Sequence, residues 1–269
     1  MKQILIILAV FSSLISSSYA EDGKTLPAGD FSDMRATKPS EVIDVVSPLT
    51  LLLRNGSIVH LSGVDIPDSY GEDISPLAVT ARDILKDLLV GKRVEIYQTK
   101  QKDSGRVNRM GHMLAHLVRH DDKIWAQGTL LRLGLARVKT SSVNPEMAQQ
   151  MFALEAAARN ERLGFWEQEE HRTLGVDEAE SAIGQFAIVK GRIESVALKK
   201  NRIYINFGKN WKDDFTVSIS PQDKRKFSKA GLDPLGWGGE MVRVRGSVRE
   251  YNGPYIEVTH PEAIEFIKE

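Results

Sequence analysis

Five short apolar segments interrupted by one helical pattern constrain residues 42–119 more than any other feature of the chain. Val42 to Val46 and Leu49 to Leu53 are short apolar runs separated by Ser47-Pro48. Arg54-Asn55-Gly56-Ser57 is a hairpin signal, because Asn-Gly supplies the positive φ angles of a tight turn. Ile58 to Val64 alternates as a third strand, which lets Leu51, Leu53, Val59 and Leu61 share one buried face. Ser75 is then placed to cap a helix, with Pro76 at its first position, where a missing N–H costs nothing. Leu77, Ala81, Ile84, Leu85 and Leu88 recur at helical spacing, and Gly91 ends the run. Arg93 to Gln98 and His112 to Arg119 follow as strands around a polar loop. Two further helices are expected, Gln127 to Leu133 and a longer one capped by Asn144-Pro145. Three strands, a helix and two strands is the layout of an OB-fold barrel.

The C-terminal part keeps a β-rich rhythm without long helices. Phe186 to Ser195 is one strand, and Ile203 to Phe207 with Phe215 to Ile219 form a hairpin. Met241 to Arg249 alternates Val242, Val244 and Gly246 with Arg243, Arg245 and Ser247, the pattern of a half-buried strand. Tyr251-Asn252-Gly253-Pro254 turns the chain back through Tyr255 to Val258. The expected fold class is therefore mainly β with helices, an OB-fold-like barrel over residues 41–166 and a second small OB-like β-barrel over residues 183–269.

The flanking segments read differently. Lys2, the apolar run Ile4 to Val10 and the cleavage-like Ser18-Tyr19-Ala20 make residues 1–20 a secretory signal peptide. The apolar run falls short of the roughly 20 residues a membrane span needs, so the expectation is export to the periplasm or beyond the cell, with no membrane association after cleavage. Residues 21–40 have no apolar period and read as a disordered leader. Residues 167–182, with one basic and six acidic side chains, read as a linker. The chain has no cysteine, which excludes thiolate catalysis, thiol redox chemistry and Cys-ligated zinc. Its 36 basic and 36 acidic side chains cancel overall, yet residues 183–269 are basic by four, a mild bias towards polyanions.

Four stretches inside residues 42–166 resemble the staphylococcal nuclease (thermonuclease) family. His60-Leu61-Ser62-Gly63-Val64-Asp65-Ile66-Pro67-Asp68 is similar to its R-L-x-G-x-D-x-P-E. Asn108 to Ala115 is similar to D-x-Y-G-R-x-L-A. Leu130 to Val138, with Gly134-Leu135-Ala136, is similar to L-V-x-x-G-L-A-x-V. Glu155, Ala158, Arg159 and Gly164-Phe165-Trp166 are similar to E-x-x-A-R-x-x-x-x-G-L-W. The C-terminal Asn206-Phe207-Gly208, Val242 to Gly246 and Gly253-Pro254 resemble the extra domain of some exported bacterial members.

The resemblance implies a calcium-dependent phosphodiesterase, in which two carboxylates hold the metal, a glutamate supports the attacking water and two arginines bind phosphate. A hard cation wants oxygen ligands, and a guanidinium fork matches phosphate bidentately. Carried over by position, Asp65 keeps one metal carboxylate, whereas Leu49 stands where the other belongs. Asp68 replaces the glutamate, and His60 and His112 replace the arginines. An arginine acting on a phosphoryl group is worth about 10³–10⁵ in rate, and histidine, with an unperturbed pKa of about 6.5, is mostly neutral at pH 7. Two readings stay open. One is a nucleic-acid or other ligand-binding module with a degenerate calcium and phosphate site. The other is an active nuclease, working weakly with calcium or through a His60, His112 and Asp65 cluster that binds a transition metal or moves protons. His112 and His116 are not a zinc pair, because four strand residues span about 13 Å.

Candidate nucleic-acid contacts fall in two places. Arg106 and Arg109, in the loop before His112, can replace lost phosphate contacts. In the second body, Lys199, Lys200, Arg202, Lys209 and Lys212 lie near Tyr204, Phe207, Trp211 and Phe215, so that any nucleic-acid binding is expected mainly there, weak and electrostatic, with Trp211 either stacked on a base or packed in the core while the lysines stay at the surface.

Overall fold

The computed structural model describes residues 26–69, 74–102, 104–210 and 213–267. The signal peptide read into residues 1–20 lies outside these, as do Trp211 and Lys212. Two large apolar cores form, one within residues 31–152 and one within residues 179–264, and a small third cluster joins Ala158, Phe165 and Trp166 to Ile188.

The first core fills a closed barrel. Its strands are β1 (Arg35–Ala36), β2 (Ser40–Ser47), β3 (Thr50–Leu53), β4 (Ile58–Leu61), β5 (Val64–Asp65), β6 (Arg93–Gln98), β7 (Met113–Arg119) and β8 (Arg137–Val138). The ring runs β6, β2, β3, β4, β7 and returns to β6, so five strands close on one another and only β1 adds at an edge. β4 and β7 pair in parallel, with His60 opposite Leu114. A short two-stranded ladder outside the ring places Asp65 of β5 opposite Arg137 of β8. Helix α1 (Pro76–Leu89) starts as the sequence predicts, with Ser75 Oγ accepting from the Ala78 N–H at 3.2 Å. Its Ala78, Ala81, Leu85, Leu88 and Leu89 are buried at the 3.6-residue period. Helices α2 (Ala126–Arg132) and α3 (Ala148–Asn160) pack beside the barrel.

Several local expectations are corrected. α3 begins after Met147, which takes φ 67°, rather than at the Asn144-Pro145 pair. In the Asn55-Gly56 turn only Gly56, at φ 80°, is left-handed. Of the expected disordered leader 21–40, residues 26–40 are packed. Phe31 stacks on Tyr97 at 4.5 Å between ring centres and meets Trp125 edge-on, and the Trp125 backbone N–H donates to the Pro27 carbonyl. One aromatic and one methionine, Phe31 and Met34, are too few to show a period. Their partners are scattered over β6, β7 and the turn before α2.

The second core lies between two sheets built from β9 (Leu174–Gly175), β10 (Phe186–Arg192), β11 (Ser195–Lys199), β12 (Arg202–Asn206), β13 (Thr216–Ile219), β14 (Met241–Ser247), β15 (Arg249–Glu250), β16 (Pro254–Val258) and β17 (Ile264–Phe266). One sheet orders β17, β14, β10 and β9, and the other β11, β12, β13, β16 and β15. The consecutive pairs β10 with β11 and β14 with β15 carry the chain from the first sheet to the second. Helix α4 (Lys224–Lys229) joins β13 to the loop before β14. The segment 167–182 is not a free linker. Leu174 and Gly175 pair with β10, and Ala179 and Ala182 are buried in the second core. Its acidic side chains face outward, with Arg172 ion-paired to Glu178. Among the described residues no helix is long and apolar enough to cross a membrane.

The two bodies meet through buried groups. Arg245 of β14 was expected on the outer face of a half-buried strand, yet it is 4% exposed. Its guanidinium donates to both oxygens of Glu155 on α3, at 3.1 and 3.0 Å, and to the Val138 carbonyl, and lies 4.4 Å from the centre of the Phe152 ring. Glu155 also accepts from the Val138 N–H at 2.7 Å and from Arg159 at 2.9 Å. Thr140 Oγ1 bonds His260 Nε2 at 2.8 Å across the same junction.

Candidate functional site

Asp65 is the residue around which the other positions gather. β5 is two residues long and ends at Ile66-Pro67, so Asp65 is held by one ladder with β8 and is only 5% exposed. Burial alone would raise its pKa. Arg137 and Lys139 outweigh burial and hold the carboxyl below the usual aspartate value. Arg137 donates to Oδ2 through Nε at 2.9 Å and through Nη2 at 2.7 Å, and Lys139 Nζ donates to Oδ1 at 3.0 Å. Phe186 of β10 covers these cations, with its ring centre 4.3 Å from the Arg137 guanidinium carbon and 5.7 Å from Lys139 Nζ. Cation–π contact of this kind adds about 0.5–2 kcal/mol, and it brings the second body against the Asp65 cluster.

Neither Arg137 nor Lys139 was among the sequence candidates. A signal for them was present in Ala136-Arg137-Val138-Lys139, where strand alternation puts both cations on one face. Phe186, 121 positions from Asp65 in the chain, carried none.

His60 on β4 stands opposite Thr50 of β3, and its Nδ1 lies 3.3 Å from Thr50 Oγ1. Burial lowers its pKa, the neighbouring His112 lowers it further and Asp65 partly opposes both. The ring is therefore neutral at pH 7. It offers no permanent positive charge for a phosphate. His112 is half-buried, its backbone N–H donating to Asn108 Oδ1 at 3.0 Å. His60 thus lies within electrostatic reach of both His112 and Asp65. His171, from the segment after the first body, packs edge-on against Phe165 and lies within electrostatic reach of Arg137 and Asp68. Burial and Arg137 lower its pKa, while Glu170 and Asp68 oppose.

Leu49 and Asp68 behave differently. Leu49 is 2% exposed and belongs to the apolar core of the barrel. Asp68 is exposed, at φ 50°, and its backbone carbonyl accepts from the Ser75 N–H in front of α1. A calcium ion needs six to eight oxygens. Here the one buried carboxylate has both oxygens engaged by cations, and its expected partner is a hydrocarbon. Among the described residues no group of three or more His, Asp or Glu side chains is placed to hold a metal ion. The donor set does not fit calcium.

The candidate nucleic-acid contacts disperse. Arg106 donates to the Thr99 and Lys100 carbonyls and so closes its own loop. Arg109 is exposed at the loop tip. Arg202 is bound to Glu257 at 2.5 Å and to Ser218 at 3.0 Å. Phe207 and Phe215 contact one another, 5.0 Å between ring centres, inside the second core. They are core side chains, which removes two of the four aromatics from the expected stacking face. Lys199, Lys200 and Lys209 are exposed.

Residues 58–168 match the family model described as staphylococcal nuclease homologue. No curated protein matches the chain. The matched segment covers the barrel from β4 onward, α1, α2 and α3, and the Asp65 pocket. β2, β3 and Leu49 lie before it.

Proposed function

We propose, on the premise that residues 58–168 form a staphylococcal nuclease homologue domain, that this chain is an exported module which uses the nuclease scaffold to bind nucleic acid without calcium-dependent cleavage. One observation carries the reading. The retained carboxylate Asp65 is neutralised from within the chain by Arg137 and Lys139, the place where catalysis of the family type requires a divalent cation. The neutral His60 and the substitution of both arginine positions support it, since each lost charge-stabilising donor costs about 10²–10³ in rate. Export rests on the signal-peptide pattern alone.

A second reading is supported by the electrostatic reach of His112 and Asp65 to His60: slow phosphodiester hydrolysis with histidine as the proton acceptor. One experiment separates them. The mature protein is incubated with single-stranded and duplex DNA and RNA, in calcium, in transition metals or in chelator. Binding without cleavage in every condition is the expected outcome. Calcium-stimulated cleavage that disappears in Asp65→Ala overturns the first reading, and chelator-resistant cleavage lost in His60→Ala establishes the second.

A further inference from the structure

An open cleft of about 660 Å³ lies on the second body, between Asn201 in the turn that joins β11 to β12 and the segment Pro221 to Lys229. Its lining holds Gln222, Lys224, Arg225, Ser228 and Lys229, with neither a carboxylate nor an aromatic ring among the described residues. We infer that this cleft is a docking site for the phosphodiester backbone of a single nucleic-acid strand, separate from the Asp65 pocket and centred on Lys224, Arg225 and Lys229. The inference rests on the nucleic-acid reading given above and assigns that binding to a different domain.

Three observations converge on it. First, α4 is anchored so that its cations are presented outward. Phe227 is completely buried in the second core, and Lys226 Nζ is held by Asp223 Oδ1 at 2.6 Å and the Thr259 carbonyl at 3.1 Å. The one carboxylate on this segment, Asp223, is thus spent on Lys226 and on Ser220 Oγ. Second, Lys224, Arg225 and Lys229 have no side-chain partner among the described residues. Arg202, by contrast, is paired with Glu257. Arg225 and Lys229 are four apart on one helical face, where like charges cost about 0.2–0.5 kcal/mol unless an anion sits between them. Third, the lining adds neutral donors, the Asn201 and Gln222 amides, which suit phosphate oxygens, while the Ser228 hydroxyl donates to the Lys224 carbonyl at 3.3 Å. The absence of a ring in the lining means bases have nothing to stack on, so recognition is of the backbone and independent of sequence. A cleft walled by a turn on one side and a helix on the other admits one strand more readily than a duplex.

The test uses the full mature chain and a fluorescently labelled single-stranded oligodeoxynucleotide of mixed sequence, read by anisotropy over a range of salt. The variant Lys224→Gln, Arg225→Gln, Lys229→Gln is compared with a control of equal charge on the first body, Arg35→Gln, Lys38→Gln, Lys92→Gln. The cleft variant should bind about tenfold or more weakly, and its log–log salt slope should flatten by about 2, three contacts at about 0.7 each. The control should keep the wild-type slope. Arg225→Gln alone should flatten the slope by about 0.7, which keeps the test open if the triple variant folds poorly. Equal weakening by both triple variants overturns the cleft in favour of net charge. A cleft variant that binds like wild type overturns it and spares the nucleic-acid reading, whereas no wild-type binding overturns both. Tighter binding of a sulfated polysaccharide, or of duplex DNA, through the same three residues overturns the assignment to a nucleic-acid single strand.

Discussion

Asp65 and Glu155 are both buried carboxylates under two cations, and the contrast between them separates a pocket from a joint. The partners of Asp65 are close by, Arg137 on the adjoining strand β8 and Lys139 just after it, and the Lys139 side chain is 49% exposed. The partners of Glu155 are Arg159 one helical turn away and Arg245 from the other body. The Arg245 and Glu155 side chains are 2% and 0% exposed. Water screens the first arrangement on one side and is excluded from the second. Removing one member of a desolvated pair strands a charge, while a half-exposed pair relaxes into solvent. Glu155 therefore fixes how the second body sits on the first. Asp65 is held more loosely, in a place where the partners can be exchanged without unfolding the barrel.

The sharpest way to break this contrast is Arg245→Ala. It should lower stability by about 3–5 kcal/mol, because Glu155 loses the cation that reaches it from the second body. Urea unfolding measures it, and a loss below about 1 kcal/mol would mean that water already reaches Glu155.

Acid comes next, since it separates buried histidines from buried carboxylates. His116 is fully buried beside Phe31 and Trp125, and burial pushes its pKa down to about 3. Burial, together with Lys226, likewise pushes His260 down to about 4. The unfolded chain binds these protons from about pH 6.5 downward while the folded chain refuses them, so stability is lost as pH falls below 6.5. For His116 alone the loss at pH 5 is about 2 kcal/mol. Asp65 acts in the opposite range. Its folded pKa lies below the ordinary value of 3.8, so its contribution is complete above that value and disappears only as pH falls through the folded pKa. A His116→Gln variant should flatten the stability profile between pH 6.5 and 4, and Asp65→Asn should leave that interval unchanged. The reverse pattern would place the acid sensitivity in the pocket.

A smaller effect is expected from Arg137→Gln. Lys139 remains on Asp65 and is half exposed, so the loss should be about 1 kcal/mol. Loss as large as that of Arg245→Ala would make the two carboxylates equivalent and end the distinction between pocket and joint.

The smallest effect is that of calcium itself. Saturating calcium should leave the wild-type Tm unchanged, because a ligand stabilises only what it binds. The combined changes Leu49→Asp, His60→Arg, Asp68→Glu and His112→Arg do not release Asp65 from its cations. Adding Arg137→Gln and Lys139→Gln is expected to be necessary before any calcium-dependent rise in Tm or cleavage is seen. A rise in the wild type would show that calcium displaces Lys139.

Local information in the sequence reached a long way in the first body. The Ser75-Pro76 cap, the spacing from Leu77 to Leu88 and the short strands on either side place five barrel strands and α1, because each depends on residues a few positions apart. The motif stretches likewise singled out Asp65, His60 and His112, and His60 feels the charge of the other two. What the sequence left undetermined depends on partners far away in the chain. Phe31 was read as part of a disordered leader, since its aromatic neighbours lie on strands and turns 66 and more positions later. Arg245 looked like a solvent-facing member of an alternating strand, and only the approach of α3 from the other body desolvates it onto Glu155. The same holds for Asp65. Its identity and position were legible, but its charge state in effect was not. A carboxylate is a metal ligand or the counter-ion of an arginine according to what faces it across the ladder, and β5 with β8 decided that in favour of Arg137.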